Sequence, residues 1–212
     1  MSPARESPGL VLLLCLLGAG PAQAQGIEAS AGAVAVTNGE VDSTRQARGL
    51  GLGVAARMDR GRWRFEAQGV TASLDADFSV QPDYAVHQLA ATASYFWGPG
   101  LRAVGGIERR FVSPDFAGQE VGLVRLGLGA ETRLSSLAGI EARADWLPVA
   151  WFSGGGGGGF SLGLGLGLRV GSATGRVHGL LEYSYERIDR QVNGMPSPIR
   201  FSVTRLGLGT RL

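Results

Sequence analysis

The chain has 212 residues, 44% of them hydrophobic and 18% charged, with a formal net charge of +2. Its mean hydropathy of +0.09, with no apolar run beyond residues 10–17, excludes a helical membrane bundle, whose spans need roughly 18 apolar residues each. So small a charge excess, without any basic run, also gives no footprint for nucleic acid. All 20 basic residues are arginine, which fits a GC-rich coding sequence and equally a narrow interior where the guanidinium fork pairs carboxylates.

Residues 1–24 read as a secretory signal: Arg5 ahead of the apolar run, then Ala22-Gln23-Ala24 as a small-x-small cleavage site before Gln25. Cys15, the only cysteine, lies inside the apolar run, flanked by leucines rather than at the cleavage point, so a lipid anchor is not expected. Residues 25–212 form one domain with neither disulfide nor thiolate site.

From there the sequence alternates with a period of two, the signature of strands whose side chains point to opposite faces. A weak first segment of alanine and valine covers about residues 26–37. Next, Leu50, Leu52, Val54, Ala56 and Met58 interleave with glycines and Arg57. Trp63, Phe65 and Ala67 interleave with Arg62, Arg64, Glu66 and Gln68. Leu89, Ala91, Ala93, Tyr95 and Trp97 alternate with Gln88, Ala90, Thr92, Ser94 and Phe96. Leu101, Ala103 and Ile107 alternate with Arg102, Val104, Glu108 and Arg110. Val124, Leu126, Leu128 and Ala130 alternate with Arg125, Gly127, Gly129, Glu131 and Arg133. Ile140, Ala142, Ala144 and Trp146 alternate with Glu141, Arg143 and Asp145.

The pattern is strictest over residues 160–170. Phe160, Leu162, Leu164, Leu166, Leu168 and Val170 share one face, and Ser161, Gly163, Gly165, Gly167 and Arg169 the other. That length matches the roughly 9–11 residues of a tilted membrane-crossing strand. Val177, Leu181, Tyr183 and Tyr185 then alternate with Arg176, His178, Glu182 and Ser184, and Thr204, Leu206, Leu208, Thr210 and Leu212 with Arg205, Gly207, Gly209 and Arg211. The glycine–leucine pattern returns at one or two times about 38 residues, the length of a repeated hairpin.

Tight connections at 59–61, 98–100, 135–138 and 171–174 alternate with longer ones at 38–48, 73–85, 112–119, 150–159 and 189–199. Short turns on one side and long loops on the other are the habit of outer-membrane barrels. The expected fold is therefore all-β: a closed antiparallel up-and-down transmembrane β-barrel of ten strands. Eight is the alternative if the first or fourth segment is misread. A soluble barrel would turn its apolar face inward. Here the polar face pairs glycine with charges of both signs, and the apolar face carries aromatics toward both ends: Trp63, Phe65, Tyr95 and Trp97 near short turns, Trp146, Trp151, Tyr183 and Tyr185 near long loops. That suits two lipid interfaces.

The same register directs Arg57, Arg62, Arg64, Glu66, Arg102, Glu108, Arg110, Glu131, Arg133, Glu141, Arg143, Asp145, Arg169, Arg176 and Glu182 into the lumen. The expectation is a network of mutually paired charges filling the barrel, with no catalytic, cofactor or metal site. The glycines at 154–159 are followed by Phe160 and a strand instead of the Lys-Ser/Thr and helix of a phosphate loop. His87 and His178 are too isolated for zinc. An acid–histidine arrangement of Asp75, Asp77 and Asp83 with His87 is outweighed by plain solvation of an acidic loop, and no Gly-x-Ser-x-Gly nucleophile motif is present.

With these features the segment 25–212 resembles the OmpA/OmpX-like group of small Gram-negative outer-membrane barrels, in pattern rather than through a diagnostic motif. Its last strand keeps Leu206, Leu208 and Leu212, but Thr204 and Thr210 interrupt the alternation and the final residue is leucine, where that group usually ends in an aromatic. Lipid A deacylases use a His-x-Ser site, which His87-Gln88-Leu89 and His178-Gly179-Leu180 do not match. The resemblance implies Sec-type export to the outer membrane and contact with outer-membrane lipids, lipopolysaccharide and the assembly machinery. It also implies a structural or surface-interaction role, with an extracellular ligand reaching the long loops. A narrow solute channel is the alternative, and a lipid-modifying or hydrolytic enzyme comes third.

Overall fold

The computed structural model describes residues 26–41, 46–76, 83–114, 119–155, 159–171 and 175–212. The expected signal segment, Cys15 and Asp77 lie outside them. In chain order the strands are β1 (Ile27–Glu40), β2 (Gln46–Arg60), β3 (Trp63–Ala76), β4 (Tyr84–Phe96), β5 (Leu101–Ser113), β6 (Val121–Arg133), β7 (Ala138–Phe152), β8 (Leu162–Val170), β9 (Val177–Ile188), the two-residue β10 (Gln191–Val192) and β11 (Met195–Pro196), and β12 (Ile199–Arg211).

Ten of these close into one barrel, each antiparallel to its chain neighbours, with β12 returning to β1. The closing seam runs from Glu28 opposite Arg211 to Glu40 opposite Ile199. Closure leaves no edge strand to template aggregation. The strands β10 and β11 form a separate ribbon in the last long loop.

The faces fall as the alternation dictates. Leu50, Leu52, Leu126, Leu128, Leu206 and Leu208 lie on the outside, and Leu164 is 54% exposed while the adjacent Gly163 is buried. Aromatic residues stand on the outer face toward both ends: Trp63, Phe65 and Trp97 near the short turns, Trp146, Trp151 and Tyr183 nearer the long loops.

Two features depart from the sequence reading. Several strands run further toward the long loops than expected: β1 continues through Asn38 to Glu40, β3 to Ala76 and β7 to Phe152. The added inward positions of β3 and β7 carry apolar side chains, Leu74 and Phe152, while that of β1 is Asn38, which donates to the Tyr84 hydroxyl at 2.9 Å, so the lumen there is not ionic. Val34, Val36, Leu74, Val86, Val112, Phe201 and Val203 form one buried cluster. Val121, Leu123, Leu147, Phe152, Ile188 and Ile199 form a second.

The other departure is a register shift between β6 and β7. Val124 pairs with Val149 but Leu126 with Trp146, so two residues of β7, Leu147 and Pro148, face the single Arg125. This is a β-bulge. Proline fits it because it has no N–H to give to a ladder. Beyond the bulge the parity of β7 inverts, which keeps both Trp146 and Trp151 outside and turns Phe152 into the core.

Candidate functional site

The barrel interior is the candidate site, and it has two ion-paired tiers below the apolar clusters. Nearest the short turns, the Arg57 guanidinium reaches Glu66 at 3.4 Å on the next strand and Glu141 at 3.3 Å on β7. Arg64 pairs with Asp59 at 2.7 Å and with Glu131. Arg102 bridges Glu131 at 3.2 Å and also Glu141. Because β2 and β7 are not neighbours, the Arg57–Glu141 bridge crosses the lumen instead of following the wall.

The middle tier is more deeply buried. Arg125 contacts Asp145 at 2.8 Å, Glu186 at 2.7 Å and Glu108. Arg110 joins Glu108 at 2.8 Å to Glu186, and Arg143 approaches Asp145 at 2.9 Å. A buried charge is tolerable only when so paired. The Arg110 guanidinium also lies 3.5 Å from the centroid of the Phe201 ring. That contact joins the ionic tier to the apolar plug, since a cation is attracted to the face of an aromatic ring.

Along the wall formed by β8, β9, β12 and β1, Arg205 pairs with Glu182 and Arg169 with Glu28 at 2.6 Å. His178 Nε2 stands 3.3 Å from the same Glu28. Inward glycines leave the room these side chains occupy. A Cβ on Gly129 would come within 2.9 Å of Arg102 Nε, and one on Gly209 within 2.3 Å of His178 Nε2.

Of the residues directed inward by the sequence, Arg57, Arg64, Glu66, Arg102, Glu108, Arg110, Glu131, Glu141, Arg143, Asp145, Arg169 and Glu182 are brought together in these groups. Arg62, Arg133 and Arg176 are exposed at the short-turn rim, because they sit at the ends of their strands. The Arg62 guanidinium donates to the Tyr95 hydroxyl at 3.4 Å, and Arg133 lines the mouth. Glu28, Asp59, Arg125, Glu186 and Arg205 join the network without being among the lumen residues expected from sequence. Arg125, Glu186 and Arg205 share the parity of residues already directed inward, so the register could have found them. Asp59 and Glu28 gave no such signal, one lying at a strand end and the other in the weak first segment.

The remaining space is small. A cavity of about 80 Å³ lies among Arg57, Glu66, Gln68, Gln88, Arg143 and Arg205, room for a few waters. A wider vestibule of about 610 Å³ is lined by Gly26, Glu28, Asp59, Arg64, Arg133, Arg169 and Arg211 at the short-turn end.

The acid–histidine arrangement does not assemble among the described residues. His87 Nδ1 faces the Thr71 hydroxyl at 2.9 Å, and Asp83 accepts from the Ala76 backbone N–H at 3.3 Å.

No known protein-family model matches the sequence, and no curated protein matches it. Solved structures match its shape. The outer membrane protease OmpT from Escherichia coli superposes with a TM-score of 0.57 at 11% identity, over 92% of this chain and 99% of that one. An outer membrane channel from Pseudomonas putida F1 gives 0.51 at 10% identity, over 91% and 97%. This is the fold of the small outer-membrane β-barrels. Neisserial surface protein A is 17% identical over 90% of this chain and 100% of its own, with a TM-score of 0.45. At these identities the likeness is one of fold, shared by a protease and a channel alike, and the outer-membrane barrel fold names no activity.

Proposed function

We propose that the protein is exported by a Sec-type route and inserted in the outer membrane of a Gram-negative bacterium. There it serves as a non-enzymatic structural or surface-interaction barrel. Its partners on this reading are the assembly machinery during insertion, membrane lipids including lipopolysaccharide around the wall, and an extracellular ligand at the long loops.

The observation that carries the proposal is the filled lumen. A solute entering from the short-turn vestibule would have to displace cross-lumen ion pairs and then push its way between the apolar clusters above them. Breaking one buried pair costs about 3–5 kcal/mol. A narrow channel, the alternative, would need a path through both layers. Planar-bilayer recording of the purified protein decides between them. The expected result is an unchanged baseline, and reproducible single-channel steps would establish the channel instead.

A further inference from the structure

Among the described residues, outward-facing arginines near the long-loop rim stand beside a carboxylate at two places and directly beside each other at one. Arg48 stands opposite Asp75 across the β2–β3 ladder. Arg109 reaches Glu120 at 3.4 Å. On the β9–β12 face, by contrast, Arg187 stands directly opposite Arg200. Like charges in that relation destabilise a sheet. Relief is partial: Arg187 has Asp189 at 3.6 Å, with the arginine half exposed and the aspartate about one third exposed. Arg200 Nε is buried with no hydrogen-bond partner, and the residue opposite Arg200 on its other side is Gly39, which offers no side chain.

Below the two arginines the same strands present hydroxyls, Tyr185 opposite Ser202 and Tyr183 opposite Thr204, and then Leu181 opposite Leu206. Both leucines lie on the outer face. The face thus changes over a few residues from cationic to hydroxyl-bearing to apolar, the polarity profile of a phospholipid from headgroup to tail.

We propose that Arg187 and Arg200 form a clamp for the phosphate of an anionic outer-leaflet lipid, with Tyr185 and Ser202 beneath it at the level of the headgroup. This rests on the reading of the protein as a membrane-inserted barrel. The phosphate relieves the arginine–arginine repulsion and gives Arg200 an acceptor. Guanidinium–phosphate hydrogen bonds are charge-assisted and two-pronged, and the adjoining leucines select a phosphate that carries acyl chains.

The test uses the protein purified from membranes and reconstituted into phosphatidylcholine vesicles, with insertion confirmed by heat-modifiable gel mobility. Association of spin-labelled phosphatidic acid is then compared with that of spin-labelled phosphatidylcholine. The native protein is expected to prefer phosphatidic acid on the order of tenfold, as two arginines at an anionic surface would give. Arg187→Gln with Arg200→Gln should abolish the preference, the double lysine variant should retain some of it, and Arg48→Gln should leave it intact. In pure phosphatidylcholine, Arg200→Gln should unfold at higher urea than the native protein, since it removes a repulsion, which a merely structural arginine would not do.

An inserted barrel without a phosphatidic acid preference, or one that Arg48→Gln reduces equally, overturns the clamp and leaves the barrel reading intact. Full displacement of the labelled lipid by millimolar inorganic phosphate reassigns the site to free phosphate and overturns the lipid proposal. Failure to insert at all overturns both.

Discussion

Arg125 binds three carboxylates from three strands, Glu108 on β5, Asp145 on β7 and Glu186 on β9. Its replacement by methionine would leave those acids facing one another in a water-poor tier, with Arg110 and Arg143 as the remaining cations. The expected cost is about 3–5 kcal/mol, whereas Arg133→Met at the exposed rim should change stability by no more than about 0.5 kcal/mol. Urea unfolding in lipid vesicles measures both. On the outer wall, Leu164→Arg should cost roughly 2–4 kcal/mol if the side chain meets hydrocarbon near the midplane. Its neighbour Gly165→Ser should be mild, because a Cβ there meets Arg143 at an ordinary 3.6 Å. The reverse order would invert the assignment of the faces. Both positions could be assigned from sequence, since a period of two leaves only two faces to choose between.

At the scale of single elements, β7 shows what a periodic pattern conceals. Trp146 and Trp151 have opposite parity, so a regular strand would put one of them in the lumen. The bulge at Leu147 and Pro148 puts both outside. Deleting Pro148 should therefore regularise the ladder and leave Trp151 outside, now at the parity of Trp146. In a variant whose only tryptophan is Trp151, brominated lipids should quench the native and the deleted protein equally strongly. Weak quenching of the deletion alone would mean that the bulge does not absorb the extra residue. The loop ribbon was concealed for another reason. Asn193 and Gly194 have φ of 52° and 78°, the pair of positive angles that a tight two-residue hairpin turn requires. Asn-Gly is the usual sequence for such a turn, but β10 and β11 have only two residues each and show no alternation. Arg190 ties this ribbon to the barrel through the Ser197 carbonyl at 3.3 Å and Glu40 at 3.5 Å.

For the whole molecule, closure converts ten marginal strands into one cooperative unit, since every strand has a hydrogen-bonded neighbour on each side. The purified protein in mild detergent should therefore migrate faster on a gel when unheated and shift to its full apparent mass only after boiling. Identical mobility before and after boiling would argue against a closed barrel. Strand parity outside the β7 bulge, the direction of most side chains and the alternation of short and long connections were legible in the sequence, because each follows from local geometry repeated along the chain. What tertiary structure decided was which inward charges meet across the lumen, where the interior changes from ionic to apolar, and where the bulge resets the register. Those depend on strands far apart in the chain being brought to the same height, and no local period encodes that distance.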